Sequence, residues 1–274
     1  MTVPSVQLND GNVIPQLGFG VFKVDPDETE RVVSDALEVG YRHIDTAKAY
    51  DNETGVGEAI AASGLERDEL YITTKLWNSD QGRITALDAI DLSLAKLQVD
   101  YVDLYLIHWP SPHRGLFVDA WLALEEIRES GRAKSIGVSN FKPHHLQPVL
   151  DAGTIVPAVN QVEFHPYYQQ RDVAAFNAEH GIVTESWGPL GQGTLVDEPA
   201  VSAIAAEHGK SLAQVILRWH VQLGHVVIPK STHPDRMVEN LDIFDFELND
   251  GELATITMLD RGGRLGSDPD TATF

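Results

Sequence analysis

The chain predicts a (β/α)8 barrel, one end of which is plugged by an N-terminal hairpin. Three observations lead there. Eight short strand-like runs recur along the 274 residues, most of them separated by a single stretch with helical spacing, and no low-complexity linker or break in composition interrupts the series. Strict alternation of this kind implies a parallel sheet, and eight such units in about 250 residues is the size of a closed barrel. The whole of 1–274 therefore reads as a single barrel domain.

Taken in order, VQLNDGNVIP reads as the hairpin, turning on Asp10 and Gly11. Strand runs follow at 16–20, 43–45, 70–74, 102–108, 134–138, 158–163, 182–187 and 226–229. Among the helical stretches, ITALDAIDLSLAKL repeats Leu87, Ile90, Leu94 and Leu97 at spacings of three and four. DAWLALEEIRESG ends on Gly131, a helix C-cap, and SLAQVILRWHVQLG starts on Ser211 as N-cap and has Gly224 at its far end. A doubly wound sheet is the competing fold. It would announce dinucleotide binding with three spaced glycines after an early strand, and GFGVFK and GVGEAI both lack the third.

Composition narrows the function classes. With 43% hydrophobic and 22% charged residues, the chain has the balance of a soluble protein with a sizeable core. No run approaches the roughly 18 apolar residues of a membrane helix, and MTVPSVQLNDGN lacks the basic and apolar regions of a signal peptide, so a cytoplasmic location is expected. No exposed apolar heptad or missing edge calls for a partner, and a monomer is the expected state. Absence of cysteine removes disulfides, thiolate nucleophiles and Cys-based metal sites. A net charge of −21 repels nucleic acid and anionic lipid, so neither is expected as a partner. It also requires any anion site to carry its own local cluster of cations.

Chemistry in such a barrel gathers where strands end. The second run ends in Asp45 with Tyr50 close behind, the third leads into Lys75, and the fourth ends in His108. Tyrosine, with a pKa near 10, is a poor acid at neutral pH. An adjacent ammonium lowers that pKa, a carboxylate holds the ammonium in place, and a histidine can bind the same substrate oxygen. The set is a proton donor aimed at a carbonyl, with no nucleophile and no metal. The local cations are supplied by VVIPKSTHPDRMVEN, where Lys230, His233 and Arg236 cluster and Pro234 suits a helix first turn. Arg236, Glu239 and Asn240 then share one face, and Lys230, Ser231 and Thr232 precede a helix N-terminus, which is an anion site.

These residues carry a resemblance. GYRHIDTAKAYDNE, YITTKLW, VDLYLIHWP, IGVSNF, PAVNQVEFHP and IPKS followed by RMVEN occur in the order found in the aldo-keto reductases, from the hairpin to about residue 260. LNDGNVIPQLGFGVFKV and ESWGPLGQG look most like the bacterial 2,5-diketo-D-gluconic acid reductases. The resemblance implies a TIM barrel that reduces aldehydes or ketones with NADPH, with Tyr50 as general acid, Lys75 and Asp45 tuning it, and His108 orienting the carbonyl. It implies that Ser139, Asn140 and Gln161 bind the cofactor carboxamide and that Trp187 stacks on the nicotinamide. Gly188, Pro189, Leu190 and Gly191 would fold over the pyrophosphate, and the 230–240 cluster would hold the 2′-phosphate. Phe22, Trp77, His108 and Trp109 become walls around the substrate, with the 110–118 loop and the C-terminal tail closing the mouth. His233 stands where relatives often carry arginine, which leaves NADH as a weaker alternative cofactor.

Two other readings compete. One is a regulatory subunit that keeps the cofactor but has little turnover; the intact tetrad and the lack of an interaction extension oppose it. The other is a hydrolase with Glu163 and Glu185 as its carboxylate pair. His144 and His145 lack metal-ligand spacing, and no metal site is expected.

Overall fold

Eight parallel strands close into a cylinder, seen here in a computed structural model that describes residues 3–274. They are β3 (Phe19–Gly20), β4 (His43–Asp45), β5 (Tyr71–Leu76), β6 (Val102–Ile107), β7 (Ala133–Ser139), β8 (Val159–Glu163), β9 (Val183–Trp187) and β10 (Val226–Val227), neighbours in chain order. A parallel bridge between Leu17 and Val227 joins first to last, and the Gly18 and Gly20 amides donate across it to Val227 and Pro229 at 2.9 and 3.1 Å. This thin seam explains why the runs expected at 16–20 and 226–229 are regular over only two residues each.

Helices cover the outside: α1 (Pro26–Val39), α2 (Glu53–Ala62), α3 (Arg83–Leu97), α4 (Phe117–Glu129), α5 (Pro143–Ala152), α6 (Arg171–Glu179), α7 (Pro199–His208), α8 (Leu212–Gln222), α9 (Pro234–Leu241) and α10 (Asp250–Thr257). Local signals set their ends. Ser211 accepts the Gln214 amide while the Gln214 side chain accepts the Ser211 amide, a reciprocal cap that starts α8. Gly131 lies one residue beyond the cap of α4, where Ser130 stands, and turns the chain with φ +81. No helix among the described residues is long and apolar enough to cross a membrane.

The hairpin pairs β1 (Ser5–Gln7) with β2 (Val13–Pro15). Strand alternation shows where it sits. All six residues of β6 are buried, but Tyr105 and Ile107 pack outward among helix residues such as Leu94, Trp121 and Leu124. Leu104 and Leu106 face the interior and meet Leu8 and Ile14 of the hairpin segment. The expected plug is therefore present: apolar side chains fill the lower barrel, and polar strand ends are left for the other mouth.

Helix packing is closest at Gly57 of α2, where an added Cβ would fall 2.4 Å from the Lys96 carbonyl oxygen. That atom is backbone and cannot swing aside. Gly57→Ala is expected to cost about 1–3 kcal/mol by overpacking, read as a shift of the urea midpoint with unchanged slope.

Candidate active site

Three neighbouring strands bring the polar cargo to one rim. Asp45 closes β4, Lys75 lies near the end of β5, and His108 follows β6, its amide donating to the Leu76 carbonyl at 3.0 Å. Tyr50 ends a short 3₁₀ turn, Lys48–Tyr50, just beyond β4. Behind that turn, Thr46 donates to the Asn52 side chain at 2.8 Å and Asn52 donates to the Val21 carbonyl at 3.0 Å. Lys48 pairs with Asp80 at its edge.

Lys75 is fully buried, and its three ammonium donors are all directed. They reach Asp45 Oδ1 at 2.6 Å, the Thr46 carbonyl at 2.9 Å and the Tyr50 hydroxyl at 3.4 Å. The second oxygen of Asp45 accepts from Gln161 Nε2 at 2.8 Å. Burial disfavours both charges, yet the pair and its hydrogen bonds keep Lys75 an ammonium, with a pKa above its ordinary value. The sequence predicts that Lys75 lowers the Tyr50 pKa. The net direction is the opposite: burial pushes the phenol up, and Lys75 offsets only part of that. Tyr50 is thus a protonated donor beside a fixed cation. Burial, then Lys75, pushes His108 well below the usual histidine range, so its ring is neutral. That ring stands edge-on to Tyr50 and Trp77, with centroids 5.5 and 5.1 Å away.

These groups open on a cleft of about 790 Å³. Phe22, Trp77, His108 and Trp109 line it as expected, as do Ser139, Asn140, Gln161, Trp187, Gly188, Pro189, Leu190 and Lys230. Gly191 does not line it, whereas Gln192 does. Ser231 and Thr232 precede α9 and Arg236, Glu239 and Asn240 lie along it; none of the five lines the cleft. Within that group Arg236 is exposed, whereas Glu239 is engaged by Ser211 and Asn240 is buried. Asn140 has its amide nitrogen on the His108 carbonyl and its oxygen on the Trp187 indole, at 3.0 and 2.9 Å, which fixes the indole over the cleft.

The hydrolase pair does not survive the geometry. Glu163 is buried, its carboxylate accepting the Leu265 and Gly266 amides at 2.6 and 2.8 Å, and His165 adjoins it at 3.1 Å. Glu185 is completely buried inside the barrel. Neither lines the cleft.

Glu163 instead anchors a tail whose contribution sequence reasoning misses in its particulars. Leu265, Gly266, Ser267 and Phe274 all line the cleft. Gly266 packs so closely on Trp187 that a Cβ would lie 2.6 Å from the indole. Lys142 grips Asp268 and Asp270 at 2.6 Å each, and Phe274 stacks on Trp77 while Asn78 donates to its carbonyl at 2.9 Å. His144, His145 and Asp270 come within 4.8 Å of one another, a grouping invisible to sequence spacing. His145 Nδ1 accepts the Lys142 amide, so its proton sits on Nε2, facing Asp270 at 3.1 Å. With Lys142 on the same carboxylate, these contacts form a clasp on the tail. Glu163→Gln, which loses one accepting oxygen, is expected to speed trypsin cleavage after Arg261 and Arg264 several-fold, followed by mass spectrometry.

Known proteins share the sequence and the fold. The Aldo/keto reductase family matches over residues 16–261. A Mycobacterium sp. (strain KMS) aldo-keto reductase is 54% identical over 274 residues, covering 100% of this chain and 99% of its own. The methylglyoxal reductase DkgA of Salmonella typhimurium is 51% identical over 267 residues, covering 97% and 96%. Among solved structures, a Gox0644 variant in complex with NADPH superposes with a TM-score of 0.96 at 46% identity, over 100% of both chains. A Bombyx mori aldo-keto reductase in complex with NADP gives 0.92 at 36% identity, covering 98% and 97%. With these relatives and the barrel agreeing along its length, the chain belongs to the aldo/keto reductase family of NADP-dependent oxidoreductases.

Proposed function

We propose that this protein reduces small reactive aldehydes or ketones, dicarbonyls and diketo sugar acids among them, with Tyr50 as the proton donor. The observation that carries the reading is the buried contact of Lys75 with Asp45 and Tyr50 beside an aromatic cleft. NADPH, when bound, supplies the hydride to the carbonyl carbon. The chain's own groups handle the oxygen. Tyr50 gives its proton to the oxygen as negative charge builds there, and the phenolate left behind faces the Lys75 ammonium. Asp45 keeps that ammonium charged and aimed. Neutral His108 orients the carbonyl by a hydrogen bond to the same oxygen. Phe22, Trp77 and Trp109 exclude water around the reacting groups.

The cleft suits the cofactor. Ser139, Asn140 and Gln161 offer polar atoms for the carboxamide, and Trp187 offers a flat face for the nicotinamide. Gly188 has φ +60, and a Cβ there would meet nothing within 4 Å, so the 188–191 loop can approach a pyrophosphate closely. In a chain of net charge −21, the cations at Lys230 and Arg236 are where a 2′-phosphate would settle. DkgA, named a methylglyoxal reductase, supports a small dicarbonyl as substrate.

Tyr50→Phe is expected to lower turnover roughly 10²- to 10⁴-fold, the span typical of a general acid, with NADPH affinity retained; unchanged turnover with a panel of aldehydes and diketones sinks the assignment. Arg236→Ala is expected to weaken NADPH binding far more than NADH binding in parallel titrations, and equal losses remove the 2′-phosphate role.

A further inference from the structure

Glu185 is a buried acid of the barrel that this mechanism does not use. It sits on β9 directly beside Gln161 of β8, as register partners, and is completely buried. Its Oε2 accepts from Gln161 Nε2 at 2.9 Å, while that same nitrogen donates to Asp45 Oδ2 at 2.8 Å. Both N–H groups of the Gln161 amide are therefore spent on carboxyl groups beneath the cleft. Its oxygen accepts no hydrogen bond from the described residues, and the residue lines the cleft. A flipped amide would set its oxygen against the Asp45 carboxylate, so the orientation is determined.

The surroundings of Glu185 also decide its charge. Lys75 has committed its three donors elsewhere and has none left for it. Its Oε1 has no hydrogen-bond partner among the described residues and lies 3.8 Å from His43 Nε2, on a ring that burial keeps neutral. Facing it from β4 are His43 and Asp45, from β5 Tyr71 and Lys75, from β8 Gln161, and beyond them Tyr50. No lysine or arginine among the described residues touches it directly. A buried carboxylate in that position is expensive, and a neutral carboxylic acid costs far less.

We propose that Glu185 is a positioning residue that carries a proton inside the barrel, locks the Gln161 amide with its oxygen toward the cleft, and leaves Lys75 a single carboxylate partner. The ligand half of this rests on the cofactor reading above: an outward amide oxygen accepts the N–H of a nicotinamide carboxamide. Burial first, then Asp45, pushes the Glu185 carboxyl up to about 8. Above that pH a second negative charge appears beside the Asp45–Lys75 pair, so the Tyr50 phenol becomes harder to ionise and gives up its proton less readily. Below it, Glu185 is silent electrostatically and acts by its hydrogen bond alone.

Two measurements on the full chain test this. Infrared spectra of the cofactor-free protein are expected to show a protonated-carboxyl band that disappears around pH 8 and is absent from Glu185→Gln. A spectrum that is the same in wild type and Glu185→Gln overturns the proton assignment. Tryptophan fluorescence then reads binding. Glu185→Leu is expected to bind NADPH roughly 3- to 10-fold more weakly, the worth of one hydrogen bond, and 2′-phospho-ADP-ribose, which lacks the nicotinamide, as tightly as wild type does. Equal weakening of both ligands means a general disturbance of β9 and overturns the positioning role. Failure of wild type to bind either ligand sinks the cofactor reading instead, and the infrared result still judges the proton.

Discussion

A lysine ammonium with no exposed surface is the constraint around which the upper barrel is arranged. Removing such a charge from water costs several kcal/mol unless every donor finds an acceptor. Lys75 meets that demand with Asp45, the Thr46 carbonyl and the Tyr50 hydroxyl. Each partner is held in turn: Asp45 by Gln161, Tyr50 by its short turn, and that turn by Asn52. The rim is rigid because satisfying one buried cation leaves little freedom elsewhere. The same arrangement leaves the phenol protonated and faced by positive charge, which suits the proton-donor role proposed for Tyr50.

The charge distribution follows a similar logic at longer range. A chain of net charge −21 offers an anionic ligand a repulsive surface almost everywhere. Lys23 and Lys230 at the cleft, with Arg236 on the adjoining helix, concentrate the opposite sign where strands end. Acidic groups near the cleft are neutralised or occupied. Asp45 is paired, Glu163 is spent on tail amides, and Glu239 is bonded to Ser211.

Much of this is legible from residue order. Asp45, Lys75 and His108 announce themselves because each polar residue interrupts or ends an apolar run, and alternation in β6 separates plug-facing Leu104 and Leu106 from helix-facing Tyr105 and Ile107. Other features leave no such trace. The tail is tied down through Glu163 and backbone amides a hundred positions away, and a backbone N–H is identical at every residue. Asp270 joins Lys142, His144 and His145 only in three dimensions. Glu185 shows the limit of period-two reasoning: alternation says that it and Ser186 point to opposite sides, but not which side is the interior. The sign at Tyr50 escapes sequence reasoning because residue order names the neighbouring lysine and not the depth of the surrounding protein.

The thin seam between Leu17 and Val227 has a bearing on how the molecule comes into being. Nearly the whole barrel sequence separates those two residues, so on a ribosome the first strand must wait, with its edge unpaired, until the last one emerges. The polar rim from Asp45 to His108 is synthesised early, yet it becomes a walled chamber only on completion of the circle. An open arc in the meantime exposes the unsatisfied backbone on which nascent chains adhere to one another. Short end strands limit that hazard: two regular residues on each side of the join give a stray partner very little ladder to copy.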